Sequence, residues 1–535
     1  MMKMPAATQV INGREYAYEY VSVWNKEKQR SEQKREYIGR IIDGEFVPNK
    51  KYLLREELAR EKDISVKRGP APATECKRQF AGATYLFDQI GKKLGIDYDL
   101  KVCFPEIHKE IASLAYYLAL EPDSQLYRFK RWSATHAHPC EKNIPSQRSS
   151  DLLPMITESA KMDFLKKQSK RRTETEYLFY DCTSISSYSE QLKQVKYGKN
   201  KDGERLAQIN LALLLGQGSG LPAYYRKLAG NITDVMTIEN LLKGIDYLDL
   251  KKTQIVMDRG FYSAKNINEL YKRHYKFVIG AKISLKYIQD HLKPKRADFD
   301  KRENYNSETG LYIKSEMIDW PYEETKVRSR EVIEEVRRIY VHIYYNDQLA
   351  TDDKTRFNKR LDALEEEIRS GKRNEEHEKS YAKYFEVTET PVRGVKIKPN
   401  QKAIDAARKN FGFFVLLSNG VKDPVEALKI YRSKDAIEKA FSDLKDRLNM
   451  RRTSVSSEEN LEGKLFLQYV GLIYLLYIKR AMDAANLFKK FTMQELFDEL
   501  GVIELHQQPG GAPYYGEITE KQRDIYRALD IEPPA

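Results

Sequence analysis

The chain has 535 residues, room for about three or four domains that each bury a core, which excludes a small stapled scaffold. Lys plus Arg outnumbers Asp plus Glu by 92 to 79, a formal charge of +13, while 41% of residues are apolar and 36 are Tyr, too many for a disordered polyelectrolyte. The basic excess favours a phosphate-rich partner, nucleic acid ahead of an anionic membrane surface, and four scattered cysteines (Cys76, Cys103, Cys140, Cys182) fit a reducing compartment.

Residues 11–48 alternate in the strand manner, and Asp43-Gly44 between YIGRII and EFVPN signals a hairpin, so a small β module over 1–50 opens the chain. Over 51–172 the apolar period becomes helical, through YLLREELAREK, FAGATYLFDQIGKKL, EIHKEIASLAYYLAL and LLPMITESAKMDFLKK. This helical region ends in a basic cluster of Lys161, Lys166, Lys167, Lys170, Arg171 and Arg172, read either as a DNA contact or as a solvated helix end. Residues 173–283 carry YLFYDCTSISSYS, AQINLALLLG and LPAYYRKLAGN, then TQIVMDRG, a helix and YKFVIGAKI. Three neighbouring strands followed by a βαβ unit predict an α/β fold with an RNase H-like sheet. Charged, mixed α/β sequence over 284–410 interrupts that sheet as an inserted domain, and FGFFVLLSN resumes the core over 411–460, with one long helix predicted from about 423 to 448. Residues 461–535 are predicted to be helical. Their longest apolar run, Leu465 to Ile478, is shorter than the roughly 20 residues of a bilayer span. The opening MMKMPAATQV lacks an apolar signal core, so a soluble cytoplasmic protein with no membrane partner is expected.

Chemistry concentrates at three acids. Asp181 in YLFYDCTS and Asp258 in IVMDRGFYS each follow apolar strand residues and precede small or turn-prone ones, which predicts carboxylates at the sheet's edge. Glu438 lies in YRSKDAIEKAFSDLKDRL. On one continuous helix Tyr431, Lys434, Glu438 and Lys445 would share an arc of about 60°, beside an apolar stripe of Ile437, Ala440, Phe441, Leu444 and Leu448. Alone, a glutamate flanked by lysines reads as i,i+4 ion pairing. Joined to the two aspartates it becomes a set of three hard oxygen ligands, which suits Mg²⁺, and two such ions can assist in-line displacement at phosphorus. His136, His138 and Cys140 in THAHPC alternate as metal ligands do, but no fourth ligand stands at a recognisable spacing. Cys182 beside Asp181 reads as core in preference to a nucleophile.

These motifs resemble the bacterial insertion-sequence transposases of the DDE class, in the group whose third acid lies in the pattern Tyr, two residues, Arg, three residues, Glu, six residues, Lys. Here that pattern is Tyr431, Lys434, Glu438 and Lys445, with lysine in place of the family's arginine; Asp181-Cys-Thr-Ser and Asp258-Arg-Gly-Phe match the first two acid motifs, and 220–234 resembles the stretch between them. The resemblance implies that Asp181, Asp258 and Glu438 are catalytic and hold Mg²⁺ or Mn²⁺, two ions together. It also implies that the chain cuts transposon ends and transfers the 3′-hydroxyl into target DNA, as a homodimer in a synaptic complex within the bacterial cytoplasm, on the nucleoid when bound. Tyr431, Lys434 and Lys445 would contact DNA, with the 51–172 region and its basic cluster helping. Trp320 of the insertion would stack on an unpaired base or, in the plainer reading, fill a core. Two rivals stay open: a catalytically silent DNA-binding regulator, and an RNase H-like nuclease without strand transfer.

Overall fold

The structure is a computed structural model that describes residues 7–25, 30–63, 76–171, 176–250, 254–325, 332–390 and 394–535. Arg172 of the basic cluster lies outside the described residues. The chain divides into two compact units, Met1–Lys77 with His506–Pro513, and Arg78–Leu505 with Tyr514–Ala535. In the first, strands Ala7–Ile11, Arg14–Asn25, Arg30–Ile42 and Glu45–Pro48 form an antiparallel sheet in sequence order, followed by helix Lys50–Asp63. Asn12-Gly13 and Asp43-Gly44 take φ of 50°, 74°, 50° and 82°. Positive φ at both central residues is the two-residue hairpin turn whose twist matches its strands, so the expected Asp43-Gly44 hairpin is joined by a second.

The second unit is built on one mixed sheet. β1 (Tyr177–Ser187), β2 (Gln208–Gly216) and β3 (Pro222–Ala229) are antiparallel neighbours, while β4 (Gln254–Met257) and β5 (Lys276–Ala281) continue the sheet parallel to β1. The order β3-β2-β1-β4-β5 is that of an RNase H-like core. All of β2 and nearly all of β1 is buried, which is why these segments read as continuous apolar runs rather than alternating ones. From the interrupting segment, β6 (Leu311–Thr325) and β7 (Val332–Tyr345) form a long hairpin that reaches β5 through β8 (Phe413–Ser418) and so extends the same sheet. The rest of the insertion has a satellite core of its own, with Leu364, Ile368, Tyr381, Tyr384, Phe385 and Ile404.

Helices cover the sheet. In chain order they include α1 (His108–Leu120), α2 (Glu158–Lys170), α3 (Asp234–Leu248), α4 (Ala264–Lys272), α5 (Asp347–Arg369), α6 (Pro424–Arg432), α7 (Asp435–Ser442) and α8 (Glu458–Ala484). The long helix expected over 423–448 is therefore broken. Ser433 Oγ bonds back to Lys429 O at 2.9 Å, and Ile437 N bonds Lys434 O, three residues back, which tightens the chain between α6 and α7. A π-turn over Asp443–Arg447 follows.

The helices expected as separate N- and C-terminal regions share one core. Phe87, Tyr116 and Tyr474 meet with ring centroids 5.1–5.3 Å apart. By length and composition α8 could cross a membrane, but 89% of its most apolar stretch is buried inside the protein. Buried Lys161 of α2 bonds Glu462 of α8 at 2.6 Å, and buried Lys227 of β3 bonds the same glutamate at 3.0 Å. These ammoniums can stay buried because each has a carboxylate partner.

Burial raises the pKa of Asp88 to about 6, although Tyr116 Oη donates to its carboxylate at 2.9 Å. A carboxyl whose pKa is raised in the folded state costs stability that grows as pH rises from its unfolded to its folded value, is complete above the latter and vanishes below the former. Asp88→Asn keeps the acceptor for Tyr116, so it should raise stability at pH 7.5 by up to about 3 kcal/mol and change nothing near pH 3. Denaturant titration at the two pH values checks this; equal effects at both would contradict it.

Candidate active site

Strand register builds the site. Tyr180 of β1 pairs with Met257 of β4 in parallel, so the next residue on each, Asp181 and Asp258, stand side by side. The sequence reading placed both acids at strand ends. β4 does end there, but β1 runs on to Ser187 along β2, and the cleft opens because β1 loses its parallel neighbour.

Each aspartate has its own cation and donor. Asp181 Oδ1 accepts from the Cys182 amide at 2.7 Å and from Lys201 Nζ at 3.3 Å. Burial raises its pKa, and the Lys201 charge, the Cys182 amide and Lys434 offset only part of that rise. Asp258 Oδ1 accepts from Tyr431 Oη at 2.5 Å. There burial also pushes upward, but the Tyr431 hydroxyl, the Arg259 amide and the Lys434 and Arg259 charges outweigh it and hold the carboxyl below its ordinary value. Tyr431 reaches Asp258 from α6 because β5 carries Gly280 at the crossing, where a Cβ would stand 2.9 Å from the hydroxyl.

Glu438 comes from α7, which packs on β1 and β2 through buried Ile437, Ala440 and Phe441. Its carboxylate is 58% exposed and accepts from Lys434 Nζ at 2.7 Å. Burial lowers the Lys434 pKa, but the Glu438 hydrogen bond and the charges of Asp258, Glu438 and Asp181 raise it overall. The Lys434 ammonium therefore sits in the field of all three acids. The helix expected to carry Tyr431, Lys434, Glu438 and Lys445 is interrupted at Ser433 and by the π-turn over Asp443–Arg447, but Lys434 and Glu438 keep their i,i+4 pairing. Lys445 bonds both carboxylate oxygens of Asp202, at 2.6 and 2.8 Å, and is buried.

Sequence reasoning missed three residues here. Lys201 and Asp202, adjacent on the loop between β1 and β2, bond Asp181 and Lys445 respectively, and Lys201 Nζ also lies 3.5 Å from Asp234 Oδ2. Asp234 opens α3 and stands 3.2 Å from where a Cβ of Gly260 would be. The GNITD stretch and the glycine after Asp258-Arg259 were the available signals for it; nothing local marks Lys201 or Asp202.

Other expected site residues lie elsewhere. Trp320 is a core residue, 5% exposed, with Nε1 donating to Asn268 at 2.8 Å and its ring edge-on to Tyr287; no face is left for a base. Arg171 is committed to buried Asp99 by two bonds of 2.7 and 2.8 Å. Lys166 lies 4.9 Å over the Tyr247 ring, while Lys167 is half-buried and Lys170 exposed. The basic cluster is thus not one patch. His136 stacks on Trp132, His138 bonds Ser113 with burial lowering its pKa to about 4, and burial pushes the Cys182 thiol up to about 12. His138 and Cys182 are core residues and His136 is half-buried.

Three carboxylates without sulfur or imidazole are the hard donor set that Mg²⁺ or Mn²⁺ takes, so the residues fit such an ion in kind. Among the described residues no three acid, histidine or cysteine side chains stand close enough to hold one, and Glu438 is exposed and bonded to Lys434.

Residues 172–476, more than half the chain, match the family described as Transposase DDE domain. No curated protein matches the chain. Among solved structures it is similar to a piggyBac transposase synaptic complex with hairpin DNA, with 11% identity and a TM-score of 0.39 over 74% of this chain and 70% of that one.

Tyr431→Phe removes a hydrogen bond to an ionised group, so the Asp258 pKa should rise. Gly280→Ala should do the same by displacing the hydroxyl. Carbon-13 NMR titration of labelled aspartate carboxyls reads both; an unmoved Asp258 in either variant would show that Tyr431 does not hold it ionised.

Proposed function

The chain belongs to the transposase DDE-domain family, and on that premise we propose that it cuts the ends of a mobile element and joins the freed 3′-hydroxyl to target DNA. The observation that carries this reading is the β1–β4 register, which sets Asp181 beside Asp258. Asp181, Asp258 and Glu438 would hold Mg²⁺ or Mn²⁺, two ions by family resemblance. Ions held there would supply activation of the attacking oxygen and stabilisation of the leaving one at phosphorus.

The chain's own groups prepare the cleft. Tyr431 keeps Asp258 ionised, and the Lys201 charge favours the ionised form of Asp181 against burial. Lys434 compensates the acids until Glu438 turns inward, after which its ammonium offers a point charge to a phosphate oxygen. Lys445 serves the same strand once Asp202 releases it. Tyr431 helps seat the strand, and Lys166, Lys167 and Lys170 add positive charge for DNA binding elsewhere on the surface. The family signature of Tyr, Arg, Glu and Lys is met with Lys434 in the arginine's place. Two copies pair two ends in the synaptic complex, on nucleoid DNA in the bacterial cytoplasm.

Asp181→Ala, Asp258→Ala and Glu438→Ala should each lower metal-dependent cleavage by at least about a thousandfold while leaving gel-shift affinity for element ends unchanged. Full cleavage by any one of the purified variants rejects this triad. Supplied with precut ends and a target plasmid, the wild type should yield joined product; cutting without joining would reject transposition in favour of a plain nuclease.

A further inference from the structure

Five lysines are buried among the described residues: Lys161, Lys227, Lys434, Lys445 and Lys464. The first four each bond a carboxylate at 3.0 Å or less. Lys464, 6% exposed, has no side-chain hydrogen bond or ion pair to any described residue, and burial alone pushes its pKa down to about 8. Its ammonium has no counter-ion among the described residues, and an anion entering the groove would supply one.

Lys464 lines a groove of about 910 Å³. Asn460, one turn before it on α8, lines the same groove, and its buried Oδ1 also lacks a partner. The walls are rich in hydroxyls, including Ser124, Ser146, Ser150, Ser189 and Ser454, and Glu190 is the one acid among the lining residues. Two exposed tyrosines line it as well, each beside an arginine: Tyr127, 59% exposed, with Arg128 5.7 Å from its ring centroid, and Tyr188, 65% exposed, with Arg452 at 5.1 Å. Tyr188 follows Asp181 by seven residues along and just beyond β1, about 20 Å away at strand rise, so the groove is not the acid cleft.

We infer that this groove binds an unpaired stretch of DNA, with one backbone phosphate on Lys464, sugar and base edges on Asn460 and the serine hydroxyls, and bases on Tyr127 and Tyr188. A buried ammonium in a hydroxyl-lined groove fits a phosphodiester, and tyrosine faces stack on any base. Arg128 at the rim adds charge to a strand that leaves the groove, whereas Arg452 is paired with Glu204 at 3.1 Å. The inference rests on DNA being the partner of this chain, and it adds a second place at which the protein grips a strand.

The test uses the full chain, without divalent metal, and a twelve-residue oligothymidylate. Amine acetylation at pH 8 followed by mass spectrometry should show Lys464 labelled at least fivefold more slowly when the oligonucleotide is present. Lys464→Met should weaken its binding about tenfold and reduce the slope of log affinity against log salt by about 0.7, one phosphate's worth for a single strand; Lys464→Arg should keep the slope. Ser454→Asp, on an exposed wall position with Lys464 intact, should weaken the same binding, so misfolding of Lys464→Met cannot hide the answer. Unchanged Lys464 labelling, or Ser454→Asp binding as the wild type does, overturns the inference. Equal protection by thymidine monophosphate or inorganic phosphate at matched phosphate concentration also overturns it, assigning the groove to a free small anion. Because neither readout involves cleavage, loss of this site leaves the role of the three acids standing, and loss of that role leaves the groove standing.

Discussion

Every functional distance in the site depends on the parallel pairing of β1 with β4. Tyr180 opposite Met257 makes Asp181 and Asp258 neighbours across two strands roughly 4.8 Å apart, a separation that one polyanion-binding cation can bridge. A slip of one residue would send one carboxylate to the opposite face. The register is protected by burial on all sides: Leu178, Phe179 and Tyr180 on β1 and Ile255, Val256 and Met257 on β4 are each 4% exposed or less. The hydrophobic core is thus what sets the spacing of the acids.

Charge balance is the second theme. In this structure the acids and lysines of the cleft satisfy one another, Lys201 with Asp181 and Asp234, Lys434 with Glu438, Lys445 with Asp202. Half-buried pairs of this kind are stable because neither partner is left bare, and removing one partner costs more than making the pair gained. A phosphate strand and divalent ions would bring both signs of charge at once, so the exchange can proceed without stranding an ion. Lys464 stands outside this pattern, as the one buried lysine among the described residues with no acid beside it.

The sheet order and the aspartates were legible because buried strands are written as apolar runs, and an acid at the end of such a run is conspicuous. Glu438 was legible through its spacing from Tyr431 and Lys445. The path between them was not, since a period of 3.6 residues assumes an unbroken helix, and Ser433 back-bonding and the Asp443–Arg447 π-turn leave no periodic trace. Partners across the fold were equally hidden. Asp99 claims Arg171 from 72 residues away and Asp202 claims Lys445 from 243 away, so charges that read as free for DNA were already spent. Trp320, set in charged sequence, is covered because its hairpin joins the core sheet.

The central claim is that Asp181, Asp258 and Glu438 converge on one divalent-ion site. Substituting Fe²⁺ for Mg²⁺ with ascorbate and peroxide generates radicals at the bound ion, which cut the nearby backbone. The account predicts peptide cuts clustered at β1 near Asp181, after β4 near Asp258 and in α7 near Glu438, suppressed by excess Mg²⁺. Cuts confined to other segments, or cuts near the aspartates that never reach α7, would contradict it.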